Sequence, residues 1–162
     1  MFAIGDRVVY PMHGGAVIKN IEQRIHDGAE VDYYVLEMLF EHMIVAVPVA
    51  NAERLGLRYI VGKEKLDDVA KVLMSTPDVF KVKSISWNRR FQIYMDCLKT
   101  GDIEEVARIF KILTILESKK KISVGERRLL HNTKQILQSE LMLVEDIDTE
   151  AAERWIYQYA KE

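Results

Sequence analysis

The length, composition and charge of the chain limit what it can be. Its 162 residues fit one ordinary domain or two small ones, which excludes a large multidomain enzyme. Hydrophobic residues make up 49% and charged residues 30%, a composition that supports a folded core and excludes a disordered chain. The 23 basic and 25 acidic residues give a net charge of -2, so any contact with nucleic acid must come from a local basic surface.

Residues 1–55 show the pattern of short strands separated by turns. Asp27-Gly28 lies between two runs of β-branched and aromatic residues and predicts a hairpin, because this pair favours turns that need a positive φ. Four or five antiparallel strands in so short a segment predict a small closed or half-closed β-barrel, since an open sheet leaves its edges unpaired. The predicted strands centre on Val8–Tyr10, Ala16–Ile21, Val31–Met38 and Met43–Pro48.

From residue 60 onward the hydrophobic period becomes helical. We expect a second domain over residues 60–162 with about five helices, so that the fold class is α+β in two domains, a small β-barrel followed by an all-α bundle. The first helix is predicted from about Lys63 to Met74, before Pro77, and the second from Ser84 or Ser86 to Thr100. The capping boxes Asp102/Glu105 and Ser123/Glu126 predict the starts of the third and fourth helices. A last helix contains Trp155 and Tyr159.

The charge is divided unevenly between the two halves. Residues 1–58 have five basic and eight acidic side chains, a net charge of -3, whereas the remaining 104 residues have a net charge of +1. Two stretches of the helical half are strongly basic: residues 81–99 have a local charge of +4 and residues 119–134 one of +5. Two basic stretches in a nearly neutral protein favour a localised contact with phosphate groups.

The segment Ser84–Phe91 is the most informative of these. If Ser84 or Ser86 caps the helix, Trp87 lies in its first turn, where an indole can press against an unstacked base while Arg89 and Arg90 neutralise phosphates. A purely structural interpretation stays open, in which Trp87 begins the apolar stripe of the helix and both arginines are solvated. The lysines at 119–121 also have two interpretations: they serve solubility, or they make a secondary contact with phosphate.

The sequence shows no pattern of a catalytic or metal site. The four histidines and the single cysteine, Cys97, lack ligand spacing, and no phosphate-binding loop, dinucleotide fingerprint or nucleophile elbow is present. We therefore expect no enzyme, no metal, no cofactor and no small-molecule substrate. The N-terminal residues do not resemble a signal peptide, and no apolar run approaches the ~20 residues that cross a bilayer, so we expect a cytoplasmic protein without a membrane contact.

Four sequence blocks stand out along the chain. They are Ile4-Gly5-Asp6-x-Val8-Val9-Tyr10-Pro11-Met12-His13-Gly14, Tyr34-Val35-Leu36, Val47-Pro48-x-x-Asn51 and Trp87-Asn88-Arg89-Arg90-Phe91. Together these blocks resemble the CarD family of bacterial transcription regulators. The first block alone is also similar to the polymerase-interacting module of transcription-repair coupling factors, whereas a W-x-R-R motif in a helical second half is typical of CarD proteins.

The resemblance implies a fold and a function for each half. The N-terminal half would be a Tudor-like, SH3-like barrel that docks on the β subunit of RNA polymerase, with Arg24 matching a polymerase-contacting arginine of the family. The helical half would reach promoter DNA, where Trp87 would wedge into the minor groove at the upstream edge of the melted region, flanked by the basic residues Arg89 and Arg90. The wedge would stabilise the promoter open complex without reading sequence.

Two positions depart from the family pattern. Ala46 stands where better-known members have a second polymerase-binding arginine, so that Val45, Ala46 and Val47 would offer only apolar or backbone contacts, and Gln92 replaces a helical lysine. An alternative hypothesis is a protein-interaction adaptor, which binds polymerase or another partner and makes no direct DNA contact.

Overall fold

The N-terminal part of the chain forms one antiparallel sheet. The computed structural model describes residues 1–161, and for residues 79 and 80 it describes the backbone only; Glu162, the end of the predicted helical domain, lies outside the described residues. The strands follow the order β4-β3-β2-β1-β5. Their bounds are β1 Arg7–Tyr10, β2 Gly14–His26, β3 Ala29–Met38, β4 Ile44–Pro48 and β5 Arg58–Tyr59.

The strand pairing confirms most of the predicted strands and adds one. The hairpin at Asp27-Gly28 is present, with both residues at positive φ (51° and 78°) and His26 opposite Ala29. The sequence did not predict β5, which pairs with β1 and lies beyond the predicted limit of residue 55. The pairing leaves β4 and β5 as the two edges of the sheet, so the Tudor-like barrel stays a prediction.

One face of the sheet forms a small apolar core. Alternate residues of neighbouring strands point to the same face, and Val8, Ile18, Leu36 and Val47 are buried together there with Tyr34. The short helix α1, Val49–Ala52, follows β4 directly and contributes Ala52 to this core.

The second part of the chain is helical. We expected about five helices, and six are present there among residues 60–161, because Val79–Lys83 forms a short additional helix after Pro77. None of the helices in this described range is long and apolar enough to cross a membrane. Their bounds are α2 Lys65–Met74, α3 Val79–Lys83, α4 Trp87–Lys99, α5 Ile103–Ser118, α6 Val124–Glu145 and α7 Thr149–Tyr159.

The predicted caps are present with one correction. Ser123 and Glu126 form the expected capping box at the start of α6, and Ser86 rather than Ser84 caps α4. At α5 the Asp102 side chain accepts from the backbone N–H of Glu104, so the helix start is confirmed. The predicted reciprocal bond from Glu105 was wrong, because the Glu105 carboxylate instead pairs with Arg108 one turn on, at 2.6 Å.

Helix α5 is the centre of the helical core. Its side chains Phe110, Leu113 and Leu116 are completely buried, and residues of α2, α4, α6 and α7 pack around them. This single core holds α4 and α6 in a fixed arrangement, so the beginnings of these two helices keep a constant position relative to one another.

Polar contacts join the sheet to α6. The buried carboxylate of Glu140 accepts two hydrogen bonds of 2.8 Å from the guanidinium of Arg58 on β5, and one of 2.9 Å from the backbone N–H of Val61. Nearby, the backbone N–H of Gly15 donates to the Ser139 hydroxyl at 2.7 Å. A Cβ at Gly15 would lie only 3.0 Å from the Ser139 carbonyl oxygen, so a glycine is needed for this close approach. These contacts fix how the two halves are oriented.

Candidate nucleic-acid and polymerase interfaces

The start of α4 presents two aromatic side chains at the surface. Ser86 has an extended backbone and its hydroxyl accepts from the backbone N–H of Arg89, which places Trp87 at the first position of the helix. Trp87 is 37% exposed and Phe91, one turn further on, is 42% exposed. Their rings lie 5.6 Å apart between centroids and are tilted by 52°. The two rings therefore form a small exposed aromatic pair at the start of α4.

The indole of Trp87 is held in place by two contacts. It lies against α6 at Gly125, where an added Cβ would be 3.0 Å from its Cζ2 atom. In addition, the guanidinium carbon of Arg90 lies 5.7 Å from the centre of the indole, a cation–π distance. The ring is therefore exposed and yet fixed in orientation.

Arg90 connects this surface to a buried polar cluster. It is 7% exposed, donates to the carbonyl oxygen of Ile85 at 2.7 Å and to the carboxylate of Glu126 at 3.4 Å, and leaves its Nε atom without a partner. The other oxygen of Glu126 accepts from the Tyr94 hydroxyl at 3.1 Å. Glu126 thus completes the capping box of α6 and binds two residues of α4 at once.

The cluster keeps the Glu126 carboxylate charged. Burial raises the pKa of this carboxyl, but hydrogen bonds from Ser123 and Arg90 outweigh burial, and the resulting pKa is below its usual value. Burial, followed by the charge of Glu126, raises the pKa of the Tyr94 hydroxyl. A charged Glu126 and a charged Arg90 form the buried ion pair that joins the beginnings of α4 and α6.

The two basic stretches meet around Trp87. Arg89 is exposed in the first turn of α4, and Arg127 and Arg128 are exposed near the beginning of α6. The Nζ atom of Lys83 donates to the carbonyl oxygen of Lys121 at 2.9 Å, which brings the end of α3 close to the loop before α6. We call the area formed by Trp87, Arg89, Phe91, Gly125 and Arg128 the Trp87 surface. Its guanidinium groups suit the phosphates of a polyanion, and its exposed rings suit stacking against a base.

The residues predicted for polymerase binding lie on the sheet. Arg24 is half-exposed on β2, where it pairs with Glu22 at 2.9 Å and lies 5.3 Å above the ring of Tyr33. An exposed pair of this type contributes little stability, so Arg24 can exchange its partner at low cost.

The second predicted contact is the edge strand β4. Register places Ala46 opposite Val35 and Pro48 opposite Tyr33, so Ala46 shares a sheet face with Tyr33 and with Arg24 above it. Val47 is 1% exposed on the opposite face and Val45 packs against the same core. The side chains of Val45 and Val47 are therefore directed into the sheet core. At these two positions β4 can contact a partner through its backbone N–H and C=O groups.

Comparison with known proteins agrees with the division into two halves. A family model described as the CarD C-terminal domain matches residues 68–157, more than half of the chain, and a model described as the CarD-like/TRCF RID domain matches residues 2–61. The chain belongs to the CarD family. This is a family of transcription regulators that interact with RNA polymerase, and not a family of enzymes.

A bacterial relative supports the assignment to the CarD family. The chain is 29% identical over 147 residues to a protein of Bacillus subtilis (strain 168) named "Putative transcription factor YdeB". The aligned region covers 91% of this chain and 94% of the relative, so the similarity includes both the sheet and the helices.

The geometry of this CarD protein places one predicted site residue in the interior and adds two residues that the sequence did not single out. Arg90 was predicted to contact phosphate, but it is buried against Glu126 and its guanidinium faces protein. Gly125 and Arg128 were not singled out, although the charge of residues 119–134 pointed to their neighbourhood. Within residues 1–161, no group of three or more His, Cys, Asp or Glu side chains is placed to hold a metal ion.

Proposed function

We propose that this protein binds the β subunit of RNA polymerase through its sheet and stabilises the promoter open complex through Trp87. The observation that carries the proposal is the exposed indole, which is held by Gly125 and Arg90 within a basic surface. In this proposal binding does not depend on base sequence, because the indole acts on base stacking and the positive charges act on phosphates, and every sequence has both.

The Trp87 surface suits the edge of a DNA bubble. Apolar side chains that enter the minor groove separate neighbouring base pairs, and the cost of unstacking falls where strands are already melted. Arg89 is exposed in the first turn of α4, two residues after Trp87, and supplies a positive charge for the phosphates beside such a wedge. In this scheme Arg90 is a positioning residue, which holds Trp87 and does not touch DNA.

The sheet supplies the contact with polymerase. Arg24 and Ala46 share one face, and β4 has a neighbouring strand on only one side among the described residues. The backbone of an edge strand can pair with a strand of another protein, and flanking side chains then add specificity. We assign the backbone of residues 45–47 and the guanidinium of Arg24 to this contact.

Attachment to polymerase explains how a protein of net charge -2 can act on DNA. A tethered domain meets its second partner at an effective concentration in the millimolar range, so a weak contact becomes effective without affinity for free DNA. Lengthening the life of the open complex tenfold needs only ~1.4 kcal/mol.

The decisive experiment measures the lifetime of open complexes with and without the indole. Trp87→Ala should shorten the lifetime about tenfold while binding to polymerase is unchanged. Tyr157→Ala is the matched control, because Tyr157 is an aromatic residue of similar exposure, 41%, on helix α7 and outside the Trp87 surface. An unchanged lifetime with Trp87→Ala would exclude the wedge and leave the protein-interaction adaptor as the function.

Arg24→Glu tests the other half of the proposal. It should prevent association with the isolated β subunit, since it reverses the charge at the proposed contact. If the variant still binds the β subunit with the affinity of the wild type, the sheet face that carries Arg24 is not the interface.

A further inference from the structure

An apolar groove begins beside Trp87 and runs between α4 and α6. Phe91 and Gly125 border its outer end, and Leu98 and Leu129 form its floor. Met12, in the turn between β1 and β2, closes the inner end. The groove has a volume of about 280 Å³, close to the lower limit of small-molecule pockets, ~300 Å³, so it has room for one planar ring system and not for a folded chain.

The polar groups of this groove lie at its rim. The guanidinium of Arg128 and the amide of Asn132 are both exposed there, on successive turns of α6. The amide of asparagine donates and accepts, as the edge of a nucleobase does. A guanidinium plane or an aromatic ring provides a stacking surface for an unpaired base.

The charge around the groove indicates which ligand it takes. The groove is bordered by the two most basic stretches of the chain, residues 81–99 and 119–134. These charges complement a sugar–phosphate backbone that runs past the rim, while the apolar floor complements a base. Arg128 is the charged residue of the groove lining. A polypeptide ligand would have to place an apolar side chain on the floor and an acidic one beside Arg128, whereas the bubble edge at Trp87 in the proposed function supplies an unpaired base and its phosphate together.

We infer that the α4–α6 groove binds a single unpaired base of the promoter DNA, one that Trp87 has separated from its stack. The base enters beside Phe91, and its polar edge meets Asn132 and Arg128. This inference rests on the proposed wedge and extends it, because the groove gives the displaced base a place to remain. The bubble edge is then stabilised by capture of the base as well as by the indole.

The test removes one base of the promoter at a time and measures how much of the protein's effect on the open-complex lifetime is lost. Open complexes are formed with the full-length protein on promoters in which one nucleotide at the upstream edge of the bubble is abasic, and lifetimes are compared with those of polymerase alone. At one position the abasic nucleotide should reduce the effect of the protein about fivefold, which is ~1 kcal/mol at 1.4 kcal/mol per factor of ten. Phe91→Ala should cause a similar loss on the intact promoter and no further loss on that abasic promoter.

Asn132→Ala is a second test of the groove, at a residue that is not a neighbour of Trp87. It should shorten the lifetime about threefold on the intact promoter and leave the abasic promoter unaffected, because its partner is already missing there. Asn88→Ala is the matched control: Asn88 is exposed on α4 outside the groove, and its replacement should act equally on both promoters.

The outcomes separate the two proposals. If Trp87→Ala shortens the lifetime but Phe91→Ala and Asn132→Ala act equally on the intact and on every abasic promoter, the groove does not hold a base, and a polypeptide or no ligand occupies it. If Trp87→Ala leaves the lifetime unchanged, the wedge itself is overturned, together with the inference that depends on it.

Discussion

The six-membered ring of Trp87 lies against Gly125, so closely that a methyl group at Gly125 would be 3.0 Å from Cζ2 and 3.2 Å from Cη2. The backbone of Gly125 is not in the left-handed region, so conformational freedom does not explain the glycine. Gly125 is the second residue of α6, and no feature of the helix itself requires a glycine there. The space for the indole explains it.

Gly125→Ala is expected to displace the indole without unfolding the protein. The added methyl group pushes the ring outward, while the better helix propensity of alanine offsets part of the strain, so the free energy of unfolding should change by less than about 1 kcal/mol. The open-complex lifetime should fall about fivefold, equivalent to ~1 kcal/mol. In the double variant Gly125→Ala/Trp87→Ala, the lifetime should equal that of Trp87→Ala alone; additive losses would show that Gly125 does not act through the indole.

Glu126→Gln is expected to destabilise the fold by about 2 kcal/mol at pH 7, because buried Arg90 loses its charged partner. The pKa of Glu126 is lowered in the folded protein, so this stabilisation is present above the unfolded-state pKa, ~4.3, and is lost as the pH falls through the lower folded-state value. Denaturant unfolding at neutral and acidic pH should show the difference between wild type and variant shrinking on acidification. Glu105→Gln, at a partly exposed pair, should cost less than about 1 kcal/mol.

The sequence predicted those features that depend on neighbours along the chain. The hairpin at Asp27-Gly28, the helix starts at Asp102 and Ser123, and the position of Trp87 in a first turn all follow from patterns within about four residues. Strand β5 escaped prediction, because two residues, Arg58 and Tyr59, are too few to show a period.

The contacts that form the candidate site connect distant parts of the sequence. Arg90 and Glu126 are 36 residues apart, so the sequence alone could not show that one of two adjacent arginines is buried while the other is exposed. The same holds for Arg58 and Glu140, which are 82 residues apart and set the orientation of the two halves. The sequence revealed two separate basic stretches, and only the contacts between the beginnings of α4 and α6, such as that of Arg90 with Glu126, bring them together.

Glu140→Gln is expected to loosen the junction between the sheet and α6. Its carboxylate is 4% exposed and accepts three hydrogen bonds, two of them from Arg58, so the substitution leaves a charged guanidinium without its counter-ion. The free energy of unfolding should fall by about 3 kcal/mol, and protease cleavage in residues 60–64 should become faster. Asp146→Asn removes the exposed pair with Arg7 at the same junction and should change neither measurement appreciably; equal effects would show that burial of Glu140 is irrelevant.

Ala46→Arg tests whether β4 takes part in polymerase binding. An arginine at this position shares a sheet face with Arg24. If the partner surface that receives the Arg24 guanidinium is acidic, a second guanidinium there should raise the affinity for the β subunit about threefold, equivalent to ~0.7 kcal/mol. Gln158→Arg adds the same charge to the exposed surface of α7 and serves as the control. The gain should be specific to residue 46 and should weaken as salt is raised, because added ions screen exposed charges. Equal gains from both variants would mean that net charge alone attracts polymerase, and an unchanged affinity with Ala46→Arg would place the interface away from β4.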